Sequence, residues 1–267
     1  MTYPHRSAAP QAAIERSANA SNAFDRGLRP TVPDGQPQRA KPLTRRYEAA
    51  WLAASGGIDS STRLAPAIAL FEEAFSAFAR GTLIATEAGP VAVEDIVPGM
   101  RALTSEGGCE TIAWVGSMTL FPGAAGADAT MLTRITTEAF GPNKPLPDLV
   151  LGPRARLLLR DRRCRSFVGA DTAYVPARAF VDGVSVIEVR PAVPVPVFHI
   201  ALARQATLRV MGMEVESYHP GGGIAQMIEP RMLELFAAFF PHLASLDDFG
   251  PPAHPRLTRF EVDQLLC

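Results

Sequence analysis

Ser217 and His219 stand two residues apart in Glu216-Ser217-Tyr218-His219-Pro220-Gly221, a hydroxyl and an imidazole in the combination a hydrolase uses as nucleophile and base. No acidic residue that would orient the imidazole is identifiable, so the competing reading is a hydrogen-bonded structural histidine. Glu94 and Asp95 are adjacent carboxylates, the residue type for general acid and base work. Within Val93-Glu94-Asp95-Ile96-Val97-Pro98-Gly99 they read instead as the ties of a turn. Arg154, Arg156, Arg160, Arg162, Arg163 and Arg165 form a cationic run broken by Asp161. Such a run can hold phosphate, but it lacks the aromatic interleaving of nucleic-acid-binding stretches, and a solvated hairpin tip is expected. Cys164 within it reads as a surface thiol without a role, although the surrounding cations would favour its thiolate. Gly221-Gly222-Gly223 follows no recognisable strand and opens no recognisable helix, so it is a weak nucleotide signal.

The remaining chemistry-bearing residues are scattered. Cys109, Cys164 and Cys267 are far apart and odd in number, and His5, His199, His219, His242 and His254 are equally dispersed. That pattern supplies neither a disulfide framework nor zinc spacing, and no metal or cofactor is expected. No nucleophile elbow, metalloprotease helix or calcium loop is present.

The scaffold that must position these residues is legible in outline. The chain has 267 residues, a net charge of −1, 47% hydrophobic and 20% charged residues, the composition of a folded protein able to bury a core. The near-zero charge creates no field for nucleic acid or an anionic membrane, and nucleic acid is not expected as a partner. No apolar run reaches the ~20 residues of a membrane span, and the first residues lack a signal peptide's apolar stretch. A reducing cytoplasm is therefore the default location, with signal-independent export left open. Aromatics make up 7%, so a core of Ala, Val, Leu and Ile is expected.

Residues 1–45 carry seven Lys/Arg against three acidic residues, with six prolines and no periodicity, and read as a disordered, mildly basic tail. Residues 46–76 lead into the body: an edge strand from Arg46 to Leu52, a turn at Ser55-Gly56-Gly57, then a helix capped by Ser61 or Thr62. That helix is expected to run to about Phe78 on the apolar positions Leu64, Ile68, Phe71, Phe75 and Phe78. From Gly81 the texture is of short strands: 83–86, 91–93, 111–115, 131–136, 149–151, 155–159, 184–189, 195–200 and 206–211. Pro230 to Phe240 forms a further amphipathic helix before Pro241. Strands at this spacing without intervening helices predict a mainly β fold.

One stretch is more specific. Phe78-Ala79-Arg80-Gly81-Thr82-Leu83-Ile84-Ala85-Thr86, followed by Gly89-Pro90-Val91-Ala92-Val93-Glu94-Asp95-Ile96-Val97-Pro98-Gly99-Met100, resembles the opening of a bacterial Hint (hedgehog/intein) domain. Trp114-Val115-Gly116, the block Leu149–Leu159 with Pro153, Val175-Pro176-Ala177, Glu216–Gly221 and Arg259-Phe260-Glu261 match further motifs of that family in order. The resemblance covers about residues 75 to 265, with residues 77–267 as the Hint-like domain. It implies an all-β body with a helix before it and another near its end. It also implies a chemistry in which a first-position Cys attacks the preceding carbonyl, and a block histidine protonates the departing amide nitrogen.

The sequence departs from that pattern where the chemistry resides. Ala77 stands at the nucleophile position, Ala155 at the block histidine and Gly152 at the preceding hydroxyl residue, while Ala203-Arg204-Gln205 replaces a later Asp-Arg-His. Asp263-Gln264-Leu265-Leu266-Cys267 lacks the His-Asn ending of splicing inteins. The expected function is thus a degenerate self-processing domain that neither cleaves nor splices itself and acts as a binding module for a protein or small-molecule ligand. Two alternatives remain at this level: residual processing or hydrolysis through a displaced Ser76 or Ser217, and an adaptor using the basic tail. If the alignment holds, Ala77 and Ala155 should lie within about 10 Å of each other, two side chains plus hydrogen-bond reach, beside a small depression lined by aliphatic side chains.

Overall fold

Antiparallel pairing between short strands organises the chain, as the alternation of apolar and turn residues requires. The computed structural model describes residues 43–122 and 131–266. A hairpin of β1 (Thr44–Leu52) and β2 (Ile58–Pro66) is followed by α1 (Ala69–Phe75). The short strands β3 (Phe78–Ala79), β4 (Leu83–Thr86), β5 (Gly89–Ala92) and β6 (Arg101–Leu103) then lead to β7 (Cys109–Leu120). Next come β8 (Leu132–Ile135), β9 (Leu149–Leu151), β10 (Arg156–Arg160), the single turn α2 (Arg165–Val168) and β11 (Thr172–Pro176). The last strands are β12 (Val186–Val189), β13 (Val195–Leu202), β14 (Thr207–Val210) and β15 (Met213–Glu216), and α3 (Ile224–Met227), α4 (Pro230–Ala237) and α5 (Arg259–Leu266) follow.

β7 holds the two halves of the sheet together. One of its edges pairs with β13, while the other is shared between β6 at Cys109–Thr111 and β1 at Trp114–Met118. Around this strand the apolar side chains divide into three clusters. The first is aliphatic, with Ile84, Ile112, Leu151, Ile200 and Val215 among its members, and it contains both Ala77 and Ala155. The second is built on aromatic rings: Tyr47, Phe71, Phe75, Trp114, Tyr218, Phe236, Phe239, Phe240 and Phe249. The scarce aromatics are thus concentrated in one core, a placement that an average over the chain conceals. Gly116 belongs to that core by subtraction, because a Cβ there would fall 2.6 Å from the Phe75 ring. The third cluster packs α5 on β11 through Val175, Leu257, Val262 and Leu265.

Several expectations are corrected. Residues 58–66 are a strand, not the first half of a helix, because they pair along their whole length with β1. Leu64 and Ile68, which begin the helical apolar stripe in the sequence, are exposed at the surface; only Phe71 and Phe75 reach the core from α1, and Phe78 lies on β3. With β2 on one side and β7 on the other, β1 is not an edge strand. It also starts at Thr44, so two residues assigned to the tail are strand; the rest of that tail, apart from Leu43, lies outside the described residues. Helix α4 stops at Ala237, where Phe239 and Phe240 tighten the last turn by bonding back three residues. No helix among the described residues is long and apolar enough to cross a membrane.

Candidate functional site

The segment Ser76-Ala77 joins α1 to β3 and is clamped from both sides. The Ala77 amide donates to the Phe198 carbonyl of β13 at 2.9 Å, and the Ala77 carbonyl accepts from the Gly152 amide at 2.8 Å. The Ser76 carbonyl accepts from the Arg154 amide at 3.1 Å. The loop 152–155 is in turn closed by the Ala155 amide on the Gly152 carbonyl at 3.2 Å, and the Ala155 carbonyl accepts from the Ala177 amide at 2.9 Å. Ala77, Ala155 and Ala177 are all buried in the aliphatic cluster. Gly152 is required by this closeness: a Cβ would collide with the Ser76 carbonyl oxygen and sit 2.7 Å from its carbon, under the separation that real side chains tolerate.

The hydroxyl adjacent in sequence to Ala77 is also withdrawn. Ser76 is fully buried, and its Oγ donates to the Glu72 carbonyl at 2.6 Å. The sequence pattern does not single out His199, which proves to be the imidazole of this region. It is buried on β13, its Nδ1 lies 2.8 Å from the Glu73 carbonyl, and burial pushes its pKa down to about 3. A neutral ring with Nδ1 bonded to a carbonyl is held in one tautomer and is no reservoir of protons near neutral pH.

Outside the closed loop lies a depression of about 230 Å³ lined by Glu73, Pro153, Arg154, Ala155, Arg156, Pro176, Arg178 and Arg259. Its lining is cationic, not the aliphatic surface that loss of a thiol and an imidazole suggests, because the backbone has closed over the aliphatic positions. Behind it runs a charged layer: Glu216, buried, bonds to Arg256 at 2.8 Å and Gln205 at 3.0 Å, with Arg156 at 3.9 Å. Burial pushes the Glu216 carboxyl up, while Arg256 and Arg156 pull it back. Glu72, also buried, pairs with Arg45 at 3.0 Å. The arginine run is therefore not one solvated tip. Arg160, Arg163 and Arg165 pair with Glu214, Asp161 and Asp171, whereas Arg154 and Arg156 turn to the depression. Cys164 is fully buried with Val175 and Val262, and burial pushes its thiol up, which corrects the expectation of a surface thiol.

Comparison with known proteins decides the family. A model of the Hint domain matches residues 76–222, more than half of the chain. The chain belongs to the Hint domain family. No curated protein matches it. Among solved structures, a bacterial intein-like domain from Clostridium thermocellum is similar at 15% identity and a TM-score of 0.38, covering 54% of this chain and 99% of that one.

The other Hint motif positions hold the scaffold. Glu94 accepts from the Gly81 amide at 2.8 Å and pairs with Arg80 at 3.2 Å, so this carboxylate ties the turn; no side-chain hydrogen bond or ion pair involves Asp95 among the described residues. Thr82 Oγ1 lies 2.7 Å from the Ala79 carbonyl and 3.2 Å from that of Val150. After Pro98, Gly99 adopts φ +95° and donates to the Ile112 carbonyl at 2.8 Å. Trp114 Nε1 donates to the Phe239 carbonyl at 2.7 Å within the aromatic core. Ser217 and His219 do not meet as a dyad. Ser217 Oγ accepts from the Ala206 amide at 3.2 Å, while His219 bonds the Gly250 carbonyl at 2.9 Å and accepts from the Gly221 amide at 3.0 Å. Pro220 and Gly221 continue that turn. Sequence reasoning did not reach Glu73, Arg256 or Arg259 as site residues; Arg259 was visible only as part of the family's closing motif.

Proposed function

We propose that this Hint domain does not cut its own chain and serves as a binding module for a protein or small-molecule ligand. The observation that carries the reading is the closure of the Ala77 position. Its buried methyl replaces a nucleophile, and the adjacent Ser76 hydroxyl is directed into the last turn of α1. Acyl transfer needs a thiol or hydroxyl within reach of the carbonyl and a proton donor for the leaving nitrogen. Ala77 and Ala155 supply neither. The rival reading, cleavage by a displaced serine, asks Ser76 or Ser217 to leave a buried hydrogen bond, and among the described residues neither hydroxyl is bonded to an imidazole or carboxylate side chain. Intact mass of the purified full chain after prolonged incubation, with and without dithiothreitol, tests the proposal. A single full-length species is expected. A discrete break between Ser76 and Ala77 would overturn it.

A further inference from the structure

Guanidinium groups that are neither paired nor solvated are rare, because a desolvated cation without hydrogen bonds is costly. Arg156 comes close to that state: it is largely buried and its carboxylate partners stand too far for a direct hydrogen bond. Among the described residues its carboxylate partners are Glu73 and Glu216, each at 3.9 Å, beyond the ~2.7–2.9 Å of a charge-assisted bond. Its Nε is buried without a partner, as is the Nε of Arg154. Both guanidiniums face the same Glu73 carboxylate oxygen at 3.9 Å without bonding to it. Two donor forks thus converge on one place and leave a gap between themselves and the acceptor. Arg259 lines the same depression, and among the described residues it makes no ion pair. Arg178, on the remaining wall, is paired with Glu188 at 3.2 Å.

The charges at this depression do not cancel. Four arginines line it and Glu73 is the one lining carboxylate; Arg178 is paired with Glu188, Arg154 also has Glu72 at 3.8 Å although Glu72 is shared with Arg45, and Glu216 behind is already engaged by Arg256. We infer that the depression beside Ala155 is a binding site for a phosphate group, either free phosphate or a small phosphomonoester. A dianion with tetrahedral oxygens meets two converging guanidinium forks and offsets more of the surplus charge than a carboxylate does. The space of about 230 Å³ holds the anion and a small substituent. The Arg154 amide, bonded to the Ser76 carbonyl at 3.1 Å, fixes the loop that carries the first fork. Arg156 is fixed by its place in β10. The inference rests on the reading of the chain as a binding module and names the chemistry of its ligand.

The test is titration of the full chain with inorganic phosphate at constant ionic strength in chloride, followed by amide NMR. Saturable shifts confined to residues around Ala155, Arg156, Arg178 and Arg259 are expected. Arg154→Gln and Arg259→Gln should each weaken binding about tenfold, the loss of one charge-assisted contact. Arg209→Gln, which removes an exposed arginine on β14, should leave it unchanged. The spectrum before titration shows whether each variant is folded, and Arg259, at the exposed start of α5, is the substitution least coupled to the core. A parallel titration with glycerol 3-phosphate separates the sources: tighter binding than phosphate assigns an ester, weaker binding the free ion. Shifts spread over the whole basic surface, equal loss in Arg209→Gln, or succinate binding as tightly as phosphate would each overturn the site. Those results are independent of the mass measurement, so a chain that cuts itself and a chain that does not bind phosphate are distinguishable.

Discussion

The amide of Gly152 donates to the carbonyl of Ala77 across 2.8 Å, joining the segment between α1 and β3 to the loop 152–155. The approach is this close because Gly152 has no Cβ, which would collide with the Ser76 carbonyl. Gly152→Ser, which adds a side chain where none fits, is therefore expected to destabilise the fold by ~1–3 kcal/mol through overpacking against Ser76. Urea unfolding of the variant against the parent measures this. An unchanged midpoint would show that the loop relaxes freely.

Acid should weaken the protein before its carboxylates titrate. Burial lowers the pKa of His199 to about 3 and that of His242 to about 4, and it lowers that of His219 as well. The unfolded chain, with histidines near ~6.5, takes up protons that the folded chain refuses, so stability falls as pH drops below that value. From His199 alone the loss between pH 7 and pH 4 is about 3 kcal/mol. Glu216 works in the opposite direction, because its raised carboxyl binds a proton in the fold. Unfolding free energies measured across that range should show the decline, and His199→Gln should flatten it. A parallel decline in the variant would assign the effect elsewhere.

Trp114→Phe keeps the ring in the aromatic core but removes the donor to the Phe239 carbonyl, which lies 2.7 Å from the indole nitrogen. Leaving that buried acceptor unpaired is expected to cost about 1–3 kcal/mol. A thermal scan should register the drop, whereas Leu235→Ala, at an exposed position of α4, should change little.

Alkylation should separate the cysteines. Cys164 is sealed beneath α5 while Cys109 is half-exposed. Iodoacetamide followed by peptide mapping should label Cys109 before Cys164 in the native chain and reach Cys164 only in denaturant. Native labelling of Cys164 at the rate of Cys109 would mean that α5 opens readily.

The residues that determine strands by alternation were legible, since Leu83–Thr86, Leu149–Leu151 and Val195–Leu202 combine β-branched or apolar residues with nearby turn formers. The family was legible too, because Gly81, Glu94 and Gly99 shape turns close to them in sequence, and these turn residues stand in the order of the Hint motifs. Residues 58–66 were not, because Ser, Thr and Arg there are strand only through pairing with β1, a contact absent from local periodicity. Nor was the cationic depression. It draws Glu73 from α1, Arg156 from β10, Arg178 from the turn after β11 and Arg259 from α5, and only the tertiary fold brings these together.

The aromatic core carries a consequence for any break at the family's cleavage position. Tyr47, Phe71 and Phe75 precede Ala77, whereas Trp114, Phe236, Phe239 and Phe240 follow it, and the two groups interlock as one packed unit. Strand β1 is also stitched to β7. A chain severed between Ser76 and Ala77 would behave as a complementing pair of fragments, each supplying half of a shared core, and not as a released passenger and a spent cutter. Hydrolysis here would leave a nick without separation, because the stretch upstream of Ala77 packs into the same core as the residues that follow it.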